Sequence, residues 1–298
     1  MTAQLTVERL FFDLSSRVKL RVTGADRVRF LNGQITNDVR KASQQQIIEA
    51  CVLTSKGKME AHIFVHADGD SFVIDADSSL ASTLQTRLER YVIADDVQIH
   101  DITGQFIFHV TGLAPKLSIP AHVLAVDRFG ISGTDIWCDH DSSGQIASEL
   151  NKAHKFCGED CAEQLRIEQG LPRWGRELTP EIIPVEANLE QRCIDYDKGC
   201  YIGQETISRM KMSGQRNKQL CGLIALSGEP FVRGMRLIAG PENKDAGWIT
   251  SAAEIRGRQI ALGYVKRGFN SAGTELDAML SGEEGRVAAR VVGLPFSN

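Results

Sequence analysis

At 298 residues the chain is long enough for about two average-sized domains or three small ones, so core burial is not limiting and disulfide-stapled peptides and zinc-finger modules are excluded. Hydrophobic residues at 42%, charged residues at 24% and aromatics at only 6% describe an ordinary globular chain, not a disordered or fibrous one. A net charge of -4 at pH 7 argues against a surface that grips nucleic acid everywhere, because neutralising phosphates takes many cations; any polyanion has to meet a local basic patch.

No stretch approaches the roughly 18–20 uncharged apolar residues that span a bilayer, so no membrane contact is expected. The richest run, Ala61 to Ala67, is only strand-length. Glu8 and Arg9 interrupt the first residues before an apolar leader can form, which points to the cytoplasm. Seven cysteines, an odd number spread from Cys51 to Cys221, are then expected as reduced thiols, mostly buried as small hydrophobes.

In chain order, Val18, Leu20 and Val22 alternate with Lys19, Arg21 and Thr23, the period of a half-buried strand closed by Gly24. Val28, Leu31 and Ile35 recur at helical spacing, and that helix is expected to stop near Thr36-Asn37-Asp38. Strand-like runs at Ile47 to Leu53, Met59 to His66 and Ser71 to Ile74, joined by Lys56-Gly57 and Asp68-Gly69-Asp70, read as a meander. Ser78 caps a helix carrying Leu80, Leu84, Leu88 and Tyr91 on one face, and the strand Val97 to Ile102 follows. Further strands are expected around Phe106, Phe108 and Val110, at His122 to Val126 and at Thr134 to Cys138. Glu159 to Gln169 reads as a helix stopped by Gly170. Leu171 to Met212 is motif-dense and weakly periodic, the character of a site-building segment. Beyond Gly214, short strands at Leu220 to Leu226, Met235 to Ala239, Trp248 to Ser251, Ala261 to Val265 and Val287 to Val292 imply a C-terminal β-barrel or sandwich. The fold class is α+β.

The strongest local feature is Lys198-Gly199-Cys200-Tyr201-Ile202-Gly203-Gln204-Glu205, followed by a short helix from Thr206. If Gly203 opens that helix, Cys200 lies just before its N-terminus, where N–H groups and the dipole favour a thiolate, with Lys198 adding to the effect. A structural cysteine in a tight turn fits the same spacing. Cys157, Cys161, Cys193 and Cys200 would suffice for a four-thiolate site, but no pair has CxxC spacing, so no metal is expected. His62 and His66 share a strand face, and hydrogen bonding is the ordinary fate of such histidines.

Glu186 stands in Pro184-Val185-Glu186-Ala187-Asn188, where a carboxylate on an ordered loop can accept two parallel N–H bonds from a guanidine-like heterocycle edge; a surface glutamate is the alternative. Arg209, Lys211, Arg216 and Lys218 form a basic run without an intervening acid, either a solvated face or an anchor for carboxylates or phosphates.

Phe30 to Val39, Leu53 to Lys58, Gly170 to Gly175, Pro184 to Asn188 and Lys198 to Glu205 together resemble the YgfZ family of folate-binding proteins, related to the T-protein, the aminomethyltransferase of the glycine cleavage system. Trp248 to Ser251 and Ala261 to Val265 fit the resemblance as well. It implies a three-domain T-protein-like arrangement around a central opening where tetrahydrofolate or a one-carbon derivative sits. The implied domains are a discontinuous folate-binding domain over 1–40 and 103–216, an inserted α+β domain over 41–102 and a C-terminal β-barrel over 217–298. It further implies that Glu186 meets the pterin, that Arg209, Arg216 and Lys218 lie near the benzoylglutamate tail, and that Trp174 or Tyr201 offers an aromatic wall.

The sequence departs from the T-protein at one place that matters. Where that protein carries paired aspartates, this chain reads Met59-Glu60-Ala61-His62-Ile63, so the anionic partner for an amine intermediate is missing and aminomethyl transfer is not expected. The resemblance implies instead a cytoplasmic factor for assembling or maintaining iron-sulfur client enzymes, tRNA-thiolating ones included, with Cys200 as a functional thiol and with any contact to tRNA indirect. A folate-dependent one-carbon transferase with an unknown acceptor and a tRNA-binding module are the alternatives.

Overall fold

The structure, a computed structural model, describes residues 9–280 and 285–296; the ends of the first and last expected domains, residues 1–8 and 297–298, and residues 281–284 within the barrel domain lie outside them. The elements run β1 (Leu10–Asp13), β2 (Val18–Thr23), α1 (Arg27–Gln34), β3 (Ile48–Leu53), β4 (Met59–Asp68), β5 (Ser71–Ala76), α2 (Leu84–Glu89), β6 (Gln98–Asp101), β7 (Phe106–Thr111), β8 (His122–Val126), β9 (Gly133–Cys138), α3 (His140–Ala153), β10 (Lys155–Phe156) and α4 (Glu159–Glu168). After a 3-10 turn at Pro184–Ala187 come α5 (Glu190–Cys193), α6 (Gln204–Ser213), β11 (Lys218–Ala225), β12 (Arg236–Ala239), β13 (Lys244–Ile255), β14 (Arg258–Lys266), β15 (Glu275–Met279) and β16 (Val287–Val292). Sheets and helices without strict alternation make the chain α+β. Among the described residues no helix is long and apolar enough to cross a membrane.

The chain forms two compact units, one of residues 1–52, 61–162 and 192–202, the other of residues 53–60, 163–191 and 203–298. The first is built on two five-stranded sheets, ordered β10-β1-β7-β9-β8 and β3-β4-β5-β2-β6. Phe11, Phe108, Val110, Ile136, Ile146 and Leu150 fill one of its cores, and Ile47, Phe64, Val73, Leu124 and Trp137 another. The second unit contains a closed barrel, β11-β14-β13-β12-β15-β16, which removes every open edge. Inside it, Leu223, Leu237, Ile249, Val265, Leu276 and Val291 are almost wholly excluded from solvent. Each such side chain stabilises the fold by roughly 1.5–3 kcal/mol relative to exposure.

Several expectations need correction. Lys19, assigned to the polar face of β2, is buried, and its ammonium donates to the carbonyls of Ser15, Arg17 and Thr103. The helix read from Ser78 is two pieces, a 3-10 turn over Ser78–Leu80 and α2, and its cap is Asp77, whose carboxylate accepts from the Ser79 amide. Helix α3 and strands β1 and β15 were not expected. In α3 only Ile146 and Leu150 are buried, so serine, glycine and asparagine dilute its period. Cys157 and Cys161, expected as free thiols, form a disulfide. The first lies just ahead of α4 and the second in its first turn, which brings their Cα atoms to 5.4 Å. Neither sulfur can then serve a four-thiolate site.

Candidate functional site

Thr36-Asn37-Asp38, at the end of α1, act by fixing backbone rather than by facing solvent. Thr36 Oγ1 donates to the Cys193 carbonyl at 2.5 Å and accepts from the Cys51 amide at 2.8 Å. Asn37 Nδ2 donates to the carbonyls of Glu49 and Arg192 at 2.8 and 3.3 Å. Asp38 accepts from the Arg40 amide and pairs with its guanidinium, which holds the carboxyl well below the usual carboxylate range. The motif thus stitches α1, β3 and the 192–195 segment together.

Lys198 completes that frame. Its buried ammonium donates to the carbonyls of Asn32, Ile35 and Asn37 at 2.9, 2.7 and 2.7 Å, satisfying the C-terminal end of α1. Burial pushes its pKa down to about 8. The expected help from Lys198 to a Cys200 thiolate therefore gives way to a structural role. The Tyr201 ring, also buried, lies 5.1 Å from the Lys198 nitrogen. Gly203, at φ +88°, caps α6 as expected, and Cys200 is exposed three residues earlier, whereas the other four free cysteines are buried.

The same unit holds a polar cluster that sequence reasoning missed. Glu49 on β3, His62 on β4 and Cys193 at the end of α5 bring one ligand-type atom each to within 4.8 Å of one another. His62 Nε2 is 3.2 Å and Cys193 Sγ 3.8 Å from Glu49 Oε2. Arg192 holds the other carboxylate oxygen, Oε1, through Nε at 3.0 Å and through its Nη2. Burial alone would raise the Glu49 carboxyl, but His62 and Arg192 overcome it and hold the pKa down at about 2. Burial would likewise lower His62, yet Cys193 and Glu49 raise it to about 9. The buried Cys193 thiol, beside that of Cys51, is pushed well up. The pairing of Glu49 with His62 depends on the register between β3 and β4, which the sequence does not display.

In the second unit the Pro184–Ala187 turn ends on Asn188, whose φ of 59° is a left-handed value that asparagine tolerates. Asn188 Nδ2 donates to the Leu220 carbonyl at 2.8 Å and its Oδ1 accepts from Gln219 Nε2 at 2.9 Å, so the turn is clipped to β11. That clip places Glu186 beside Lys218. Glu186 is 4% exposed, and its Oε2 accepts from the Ile183 amide at 3.2 Å and pairs with the Lys218 ammonium at 3.2 Å. The ammonium in turn lies 5.8 and 6.0 Å from the ring centres of Tyr264 and Trp248. Those two barrel aromatics were not singled out in the sequence.

The remaining expected residues divide. Arg216 pairs with Glu190 at 2.7 Å, beside a cleft of about 340 Å³ that Lys211 and Arg267 also line. Arg209 is exposed on α6 and does not line that cleft. Trp174 is half-buried in a turn closed by the Gly175 amide donating to the Leu178 carbonyl at 2.9 Å. Tyr201 and Cys200 belong to the first unit, and Glu186, Trp174, Arg209, Arg216 and Lys218 to the second.

Mixed layers, a closed C-terminal barrel and a carboxylate-bearing Pro-x-Glu turn clipped to that barrel define a chain of the T-protein fold. Residues 218–297 match the glycine cleavage T-protein C-terminal barrel domain. The glycine cleavage system aminomethyltransferase T from Bartonella henselae superposes with a TM-score of 0.85 over 97% of this chain and 86% of that one, at 20% identity. In sequence the chain is similar to the tRNA-modifying protein YgfZ of Shigella dysenteriae serotype 1, 25% identical over 272 residues, 82% of this chain and 81% of the relative. The tRNA-modifying protein YgfZ of Escherichia coli O7:K1 is 24% identical over 304 aligned positions, 93% of this chain and 90% of that one. The resemblance to the YgfZ family carried by the motifs is borne out across most of the chain.

Proposed function

We propose that this chain is a cytoplasmic tetrahydrofolate-binding protein that acts in the assembly or maintenance of iron-sulfur enzymes, those that thiolate tRNA among them. The observation that carries the reading is the buried Glu186 carboxylate, held by a clipped turn, whose hydrogen bond from the Ile183 amide and ion pair with Lys218 both fall on Oε2. A carboxylate has about four lone-pair positions, so the residues present fit a pterin whose N–H edge bonds the remaining ones. Reduced folate supplies one-carbon units when bound. Lys218 is already paired with Glu186, so the benzoylglutamate tail is left to Arg216 and Arg209, with Trp174 as aromatic wall. In this reading the domains are 1–40 with 103–216, 41–102 and 217–298, and the exposed Cys200 is the thiol presented to client proteins. The name of the relatives supports a place in tRNA modification.

The test is genetic. In cells lacking the native gene, the wild-type chain is expected to restore iron-sulfur-dependent tRNA thiolation, and Cys200→Ala and Glu186→Ala to restore it poorly. Full rescue by Cys200→Ala would remove the thiol from the mechanism. The exposed cations Arg209 and Lys211 favour a second reading, direct contact with tRNA, whose affinity must fall steeply with salt; binding indifferent to ionic strength would eliminate it.

A further inference from the structure

We propose that Glu49, His62 and Cys193 form a zinc-binding site that leaves one coordination position to a ligand from outside the trio. A carboxylate oxygen, an imidazole nitrogen and a thiol sulfur are the ligand types zinc takes, and three protein ligands with a vacant fourth position are the pattern of reactive rather than structural zinc. A tetrahedral ion with Zn–N and Zn–O near 2.1 Å and Zn–S near 2.3 Å sets its ligand atoms about 3.4–3.6 Å apart. The atoms here stand at 3.2 Å for His62 to Glu49 and 3.8 Å for Cys193 to Glu49, with all three pairs inside 4.8 Å. Small side-chain adjustments admit the ion without moving backbone.

The support around the trio suits the purpose. Thr36 and Asn37 bond the carbonyls of Cys193 and Arg192, which fixes the segment that brings the sulfur. Arg192 takes Oε1 of Glu49 and leaves Oε2 facing the other two ligands, the arrangement by which an outer partner orients a ligating carboxylate. The Arg192 charge is itself met by Asp127, 3.4 Å from its Nη1, so one zinc ion with a carboxylate and a thiolate leaves the site neutral. The Glu49 and His62 side chains retain 10% and 14% exposure, while Cys193 is fully enclosed.

Cobalt(II) titrated into reduced, metal-stripped protein tests the site, because a thiolate ligand gives a near-ultraviolet charge-transfer band. One equivalent is expected to produce that band and zinc to abolish it by competition. His62→Gln and Cys193→Ser should weaken cobalt binding by at least about 100-fold, more than loss of an outer-shell partner. Cys200→Ser, which removes the exposed thiol, should bind like wild type. Should Cys193→Ser fail to fold, Glu49→Gln and the rise in wild-type melting temperature on adding zinc give the same reading. No thiolate band in wild type, or a band that survives Cys193→Ser and disappears with Cys200→Ser, overturns the proposal.

Discussion

Gly203 packs against Gly57 so closely that a Cβ built on Gly203 would stand 3.2 Å from the Gly57 Cα and 2.6 Å from the Thr54 carbonyl oxygen. Two motifs far apart in sequence, Leu53 to Lys58 and the Gly-rich run ending at Glu205, therefore meet backbone to backbone, and Gly203 adopts a φ that side chains rarely take. Gly203→Ala is expected to cost about 1–3 kcal/mol and to shift the start of α6; urea denaturation checks the first. An unchanged midpoint would show that the turn relaxes freely.

Lys218→Met leaves the buried Glu186 carboxylate, among the described residues, with the Ile183 amide as its partner. The expected loss is about 1–3 kcal/mol, below the figure for a fully enclosed pair because the Lys218 side chain retains 21% exposure. Lys218→Arg should recover most of it. Equal stability of the Met variant and wild type would mean that the pair contributes nothing.

His66 is buried against Trp137 and His122, ring centres 4.7 and 5.4 Å away, and burial lowers its pKa to about 4. A histidine lowered in the folded state destabilises the fold wherever the unfolded chain takes up the proton first. Stability should therefore fall as pH drops from 6.5 towards 4, by on the order of 3 kcal/mol in all. Unfolding curves at pH 7 and 5 measure the effect, and His66→Phe should show a shallower fall between them.

Cys200 is the exposed member of five free cysteines. Brief iodoacetamide treatment of native protein at neutral pH should alkylate Cys200 first, with Cys51, Cys138, Cys193 and Cys221 labelled only on unfolding. Peptide mass spectrometry distinguishes the sites, and early labelling of Cys193 would contradict its burial.

Periodicity and turn chemistry made most of the fold legible. Strands β8 and β16 fall where alternation places them, and α4 ends two residues before Gly170, whose φ of 70° explains the residue. Helix α3 was not legible because two buried residues in fourteen carry too little period. Of the candidate site, Glu186 and Cys200 could be named from motifs, but the Glu186 to Lys218 pair could not, since it depends on Asn188 clipping the turn to β11. Glu49, His62 and Cys193 come from three elements joined only by tertiary pairing. The Cys157 to Cys161 bond escaped for a related reason: their spacing alone does not say whether two thiols face one another.

The central claim is that the Glu186 carboxylate holds a reduced folate, and calorimetric titration of tetrahydrofolate into wild type and Glu186→Gln tests it most directly. Saturable one-to-one binding is expected of wild type, with a loss of about 10- to 100-fold in the variant, the cost of removing a charged acceptor. No binding by wild type, or equal affinity in the two proteins, would contradict it.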